Sequence, residues 1–563
     1  MLYIILSVIV GALSFYYFFF KNSNYFKKHG IPYIRPLPIL GNTGSSFLHL
    51  QSMAEIIKNI YDLQPKAKYV GIYDMLQPIV MIRDPELIKS IALKHFDIFS
   101  DRKTFVVDEK IDPLFGKNLF ALQGEKWRQV RSLLSPAFTS SKMKAMFKLM
   151  SDYGADFSNY LMHLPPGQRT LHMKDIFTRY TNDVIATCAF GINVDSMREP
   201  DNEFYVNGRE ATSVNVATFT RFYIAKILPW LARLLNIKIV REKIAKYFRN
   251  LIQTTIKTRD DKGIVRPDML QLMMENRGKE GKVELSADDM VAQAFIFFFG
   301  GFESTSMLMC FATYEIAVNE DVQKKLQSEI DQILEETNGQ ITYEAINNTE
   351  YLDAVINEAL RKYPIALITD RCCTKDFELE PTLPGTKPFT IKAGSTVWIP
   401  IHALHYDTKY FENPEKFDPS RFLGEQKKRN LNSGTYLPFG LGPRMCIGNR
   451  FALLEMKALL FHLLARCDLK ICEKTPIPLK LAKVGFGMRI ENDFCLRVVP
   501  RSNMHHTLAS NLANRTNTPG ASILRGWMHT KLEKKKKKYI GASILRGLLH
   551  TKLEEIKKKT NTP

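Results

Sequence analysis

Residues 438–448 read P-F-G-L-G-P-R-M-C-I-G, and no other stretch restricts the fold of this chain as tightly. Phe439 stands seven residues before Cys446, Gly442 four before, Arg444 two before and Gly448 two after, the pattern F-x-x-G-x-R-x-C-x-G. Glycines so placed let the backbone turn tightly and bring N–H groups close to one sulfur. The run that follows, G-N-R-F-A-L-L-E-M-K-A-L-L-F-H-L-L, has helical periodicity. Cys446 is therefore predicted near a helix N-terminus, which favours a thiolate. A lone cysteine is most often a small buried hydrophobe. Five positions matching within eleven residues reverse that expectation.

Three further patterns accompany this loop. In G-E-K-W-R-Q-V-R-S-L-L, Trp127 and Arg131 are four apart and share one helical face, as an ordinary amphipathic surface helix would also allow. Residues 287–314 predict a long apolar helix, interrupted by Gly300-Gly301 and followed by Glu303-Ser304-Thr305. Its charged flanks mark it as buried rather than membrane-spanning, and the paired glycines are expected to loosen the hydrogen-bond ladder and open a groove. Glu358 and Arg361, in N-E-A-L-R-K-Y-P, are three apart on a helix that ends at Pro364. Alone they are an ordinary ion pair, but F-D-P-S-R-F supplies a further arginine, Arg421, shortly before the cysteine loop.

With these motifs together, the sequence resembles the cytochrome P-450 superfamily of haem-thiolate monooxygenases over residues 30–501. In texture it is most like the insect microsomal members associated with detoxification. The resemblance implies a mainly α fold, a large helical domain with a small β-rich region. It implies haem b as cofactor, with Cys446 as axial thiolate, Gly448 supplying an N–H beside the sulfur and Phe439 shielding the proximal face. Arg444, Trp127 and Arg131 are expected at the haem propionates, with Arg371 reaching them from the other side and Arg102 a weaker candidate. Glu303 matches the acid and Ser304 the alcohol that deliver protons to bound dioxygen. The usual alcohol is threonine; serine keeps the hydroxyl, and Thr305 stands next to it. Glu358, Arg361 and Arg421 match a buried set that locks the core near the haem.

The implied reaction inserts one oxygen atom from O2 into a lipophilic small molecule, foreign or endogenous. Electrons are expected from a separate NADPH-dependent cytochrome reductase, since no G-x-G-x-x-G fingerprint follows Cys446. Docking is expected at a basic face around Arg444 and Arg450, with cytochrome b5 as a second donor. A reductase-independent enzyme that rearranges peroxides and a non-catalytic haem or lipophile binder are the rival readings. No single segment is diagnostic of the substrate.

The ends complete the plan. Residues 1–20 carry no charge and are long enough to cross a bilayer, so they are read as a transmembrane signal anchor. A cleaved signal peptide is disfavoured by the missing basic n-region and by aromatic residues at the cleavage position. Lys21, Lys27, Lys28 and Arg35 put the remainder in the cytosol, and the resemblance to microsomal members implies the endoplasmic reticulum membrane. Residues 21–42 form a basic, proline-rich hinge and 43–501 the monooxygenase domain. Strands are expected over 68–82, 391–400 and 484–500, and Asp84 is expected to cap a helix that opens at Pro85.

Residues 204–240 are expected as a helical segment broken by Pro229, an ordinary core helix pair by composition, which the resemblance places at the substrate entrance. Residues 502–563 form a basic tail in which G-A-S-I-L-R-G recurs at 520 and 541; it is read as disordered. Much of the net charge of +20 belongs to that tail, so nucleic acid is not inferred as a partner. Eight cysteines without regular spacing fit a reducing compartment better than a disulfide scaffold.

Overall fold

The 32-residue helix Ala287–Val318 is the central element. Ser286 and Asp289 form a capping box at its start: the Asp289 N–H donates to Ser286 Oγ (3.1 Å) and the Ser286 N–H to Asp289 Oδ2 (3.2 Å). The expected interruption does not occur, and the helix runs through both glycines. Tertiary packing supports the ladder there. A Cβ on Gly301 would lie 2.9 Å from Ile185 Cδ1, and the Thr181 hydroxyl donates to the Phe302 carbonyl (3.0 Å). A Cβ added at Gly300 would meet no atom within 4 Å.

This computed structural model describes residues 2–20, 24–213, 216–266, 268–277, 284–483, 485 and 487–501; the repeat tail lies outside them. Residues 1–332 and 341–501 group as one unit. Residues Ile333–Gln340 group apart, and there the Gly339 N–H donates to the Leu334 carbonyl (2.7 Å) where the Glu320–Glu336 helix ends. Helix Met173–Ile185 packs along the central helix, and helix Asn449–Arg466 along Ser140–Met162.

The strands are β1 (Tyr69–Asp74), β2 (Gln77–Ile82), β3 (Thr170–His172), β4 (Thr369–Cys372), β5 (Phe377–Leu379), β6 (Phe389–Ile391), β7 (Thr396–Ile399), β8 (Cys467–Lys470) and β9 (Cys495–Pro500). They form a four-stranded sheet in the order β1-β2-β7-β4, a three-stranded sheet β3-β9-β8 and the pair β5-β6. The fold is therefore mainly helical with small sheets, as the resemblance implies. Within the expected strand 484–500, only Cys495–Pro500 is a strand among the described residues, and it belongs to the second sheet. Further upstream Gly487 instead crosses close over Ile365, whose carbonyl accepts the Met488 N–H (3.0 Å).

Asp84 caps the helix Pro85–Lys89, accepting the Leu87 N–H at 2.8 Å. Asp84→Ala is expected to lower stability by about 1 kcal/mol, read as a small fall in unfolding midpoint with haem content unchanged. The proline-rich 30–42 segment is helix-free and runs beside β1: Tyr33 bridges Gly71, and the Tyr73 N–H donates to Asn42 Oδ1 (2.7 Å). Residues 204–240 contain three helices, Glu203–Thr212, Val216–Ile227 and Pro229–Leu234, the last starting at the expected proline. Leu2–Phe20 is one uncharged helix.

Candidate active site

The cysteine loop is held by its own backbone. The Cys446 N–H donates to the Phe439 carbonyl (2.9 Å) and the Met445 N–H to the Gly442 carbonyl (2.9 Å). Gly442 has φ +76°, and a Cβ there would meet the Ala92 carbonyl oxygen at 2.2 Å. Gly442→Ala is thus expected to cost about 1–2 kcal/mol in left-handed strain and about 1–3 more in overpacking. Gly448 differs: its φ is −93° and its added Cβ would meet Phe138 at 3.8 Å. Gly448→Ala should fold normally, and equal unfolding midpoints for the two variants would contradict this distinction.

The Cys446 side chain is accessible, yet protein surrounds it closely enough that desolvation raises its thiol pKa. Both hold for a sulfur on the wall of a recess. The Gly448 N–H, Arg131 and Arg102 work against that rise. The helix begins at Asn449, three residues beyond the sulfur. Phe138 touches the Gly448 position and packs its ring against Phe297 (5.9 Å between centroids), so one aromatic layer links the loop to the central helix.

Three arginines from distant parts of the chain converge on this loop and its own Arg444. Arg102 donates to the Arg444 carbonyl (3.0 Å), Arg131 to Met445 (3.0 Å) and Arg371 to Leu441 (2.8 Å). Arg444 turns inward, donating to the carbonyls of Ser100 (2.7 Å) and Leu122 (2.8 Å), with its guanidinium 3.9 Å over the Trp127 ring. It is buried, so it is not part of a surface docking face; Arg450 is exposed. Asp101, 3.4 Å from Arg444, and Asp370 are the carboxylates that act on these groups. Two carboxylates leave an excess of two positive charges. Burial and mutual repulsion push Arg371 and Arg444 down to about 9. Arg371 Nε is also buried, with no hydrogen-bond partner among the described residues.

Behind the loop, Arg361 grips Glu358 with two bonds of 2.8 Å, both side chains fully buried, and Arg421 Nε lies 3.5 Å from the same carboxylate. Arg361 also donates to the carbonyls of His405 (3.1 Å) and Pro414 (2.8 Å). His405 connects this set to the cysteine loop. Its Nδ1 lies 3.0 Å from the Arg361 carbonyl and its Nε2 accepts the Leu437 N–H (2.9 Å). Those partners require a neutral ring with the proton on Nδ1, and burial beside Arg361 accordingly pushes its pKa down to about 3.

On the central helix, Glu303 binds Lys174 (3.0 Å) and Arg489. Burial pushes its carboxyl up, but the two cations together hold it below the usual carboxylate range. The Ser304 hydroxyl donates back to the Gly300 carbonyl, and Thr305 is buried. Asp101, Asp370, His405, Lys174 and Arg489 are absent from the sequence reading. They meet their partners across gaps of up to hundreds of residues, and no local spacing signals them.

The sequence model of cytochrome P-450 matches residues 31–496. The chain belongs to the cytochrome P-450 family. Cytochrome P-450 9e2 of Blattella germanica is 45% identical, over 86% of this chain and 95% of that protein. Probable cytochrome P-450 9f2 of Drosophila melanogaster is 40% identical, over 88% and 98%. Cytochrome P-450 6j1 of Blattella germanica is 36% identical, over 87% and 96%. As a P-450, this chain is a haem-dependent monooxygenase of a family whose haem takes a cysteine thiolate and whose electrons come from a reductase.

The observed residues fit that haem. A P-450 needs an accessible thiol in a recess, and Cys446 is one. It also needs cations for two propionates, and the arginine cluster has an excess of two charges. The unpartnered Nε of Arg371 is one donor free for such a group.

Proposed function

We propose that this enzyme oxidises lipophilic small molecules at the endoplasmic reticulum membrane, with its catalytic domain in the cytosol. The uncharged Leu2–Phe20 helix carries the membrane reading: Tyr3, Ile4, Leu6, Val8 and Tyr16 along it are all more than half exposed. Such a surface needs a bilayer or a partner to cover it. Trp230 (62%), Leu234 (73%) and Leu235 (60%) add exposed apolar surface at the 229–235 segment, suited to drawing substrate from lipid. The Phe115, Phe295 and Phe299 rings, with centroids 5.6–6.3 Å apart, form an aromatic group beside the central helix that suits an apolar ligand.

Bound haem supplies the activation of dioxygen; the chain's residues position it and move protons. Arg102, Arg131, Arg371 and Arg444 hold the propionates, with Trp127 stacked against Arg444. The Gly448 N–H stabilises the Cys446 thiolate, and Phe439 screens it from water. Glu303 passes protons inward from solvent, exchanging one of its cations for water as it does so, and the Ser304 hydroxyl releases the Gly300 carbonyl to orient them. Thr305 supports the turn. Glu303→Gln is expected to lower turnover about 10²-fold while haem content and reductase-driven NADPH consumption persist. Unchanged product yield per NADPH would overturn the assignment.

The donor is an NADPH-dependent membrane flavoprotein reductase, with cytochrome b5 as an additional electron donor, docking near exposed Arg450. Membranes holding the enzyme and this reductase should oxidise lipophilic probes only when NADPH is present. Product formed from organic peroxides alone, with none from NADPH and O2, would favour peroxide rearrangement instead.

A further inference from the structure

We propose that Cys472 and Cys495 form a peroxide-sensitive thiol pair, a modification site separate from the haem thiolate. The antiparallel β8–β9 ladder ends with Lys470 opposite Arg497, and Cys472 and Cys495 each lie two residues beyond that last pair. A disulfide needs Cα atoms about 4.4–6.8 Å apart. The contacts place the Cys472 sulfur against the Cys495 backbone. Cys472 Sγ lies 3.4 Å from the Cys495 carbonyl oxygen, and Thr475 joins the two by accepting the Cys472 N–H (2.9 Å) and donating to that same carbonyl (2.7 Å). Cys472 is partly exposed, whereas Cys495 is 2% exposed.

This asymmetry orders the chemistry. Hydrogen peroxide reaches Cys472 first and converts its thiol to a sulfenic acid, releasing one water. The Cys495 sulfur then attacks the Cys472 sulfur, the S–O bond breaks, and the departing hydroxide takes the Cys495 thiol proton to leave as a second water. Peroxide is reduced and the two thiols are oxidised to one disulfide. His172 is placed to carry that proton: its Nδ1 lies 3.6 Å from Cys495 Sγ and 3.5 Å from Asp493. Cys372 and Cys373 are a poorer pair, because consecutive residues in extended backbone point to opposite faces.

The site also lies on the path to Glu303. Asp493 accepts the Lys174 N–H (2.9 Å), the Phe494 carbonyl accepts that of Met173 (3.0 Å), and Lys174 holds Glu303. The proposal does not depend on substrate or redox partner.

Treating the full-length protein in membranes with hydrogen peroxide, followed by alkylation and peptide mapping, tests it. Alkylation should be lost at 472 and 495 together, with a linked peptide that dithiothreitol releases. In Cys495→Ser, dimedone should label Cys472; in Cys472→Ser, Cys495 should stay reduced. Independent alkylation of both cysteines after peroxide, or a linkage formed instead at Cys372–Cys373, would overturn the assignment.

Discussion

Replacing Glu358 with alanine is expected to remove about 3–5 kcal/mol from the folded state, enough to abolish most haem-loaded protein. The size of the effect follows from burial. Arg361 and Glu358 are both 0% exposed, and without the carboxylate the Arg361 charge would face the carbonyls of His405, Pro414 and Lys416 and the rings of Tyr406 and Phe411, with no anion in contact among the described residues. Carbonyl dipoles do not replace a bidentate anion in a site closed to water. Arg421 would lose the same partner, and the Asp418 N–H would lose its 2.9 Å acceptor. Because His405 ties Arg361 to Leu437, the damage would extend to the start of the cysteine loop. The comparison is Asp156→Ala, which breaks an ion pair with Arg198 whose partners are 56% and 47% exposed. That change should stay within about 1 kcal/mol. Thermal unfolding followed at the haem band separates the two; similar midpoints would contradict the account of the buried set.

The legible part of this chain lay where one short stretch carries a whole constraint. The Cys446 loop, the Glu358–Arg361 spacing and the Asp84-Pro85 cap each put their chemistry within a few residues, and each predicts geometry that the fold contains. Gly300-Gly301 misled because a glycine pair loosens an isolated helix, whereas here Ile185 and Thr181 pack against the ladder. The 484–500 segment reads as strand by composition, but among the described residues its ladder is confined to Cys495–Pro500, while Gly487 makes an isolated bridge to Ala366 and the Met488 N–H donates to the Ile365 carbonyl. Arg444 was expected in two places, at a propionate and on a docking face. Its stack on Trp127 and bonds to Ser100 and Leu122 make the second impossible.

The partners of Glu303 show a deeper limit. Lys174 and Arg489 lie 129 and 186 residues away, and they bind its carboxylate because two helices and the C-terminal segment converge there. An isolated acid-alcohol pair gives no hint of cations that restrain it. The same holds for Asp101 and Asp370, which set the net charge of the arginine cluster and with it the fit to a dianionic group.

Cys446→Ser removes the proposed axial ligand itself and should have the largest effect on chemistry of any single change. A serine oxygen keeps the small side chain, the Phe439 bond to its N–H and the surrounding arginines, so the polypeptide should still fold. The alcohol does not ionise as a thiol does and cannot donate electron density to iron in the same way. The direct measurement is the absorption spectrum of the reduced, carbon-monoxide-bound protein in membranes, for the parent chain and the serine variant together. The account predicts a Soret band at the thiolate position in the parent and its loss in the variant. A parent without that band, or a variant that keeps it, would contradict the assignment of Cys446 as the haem ligand.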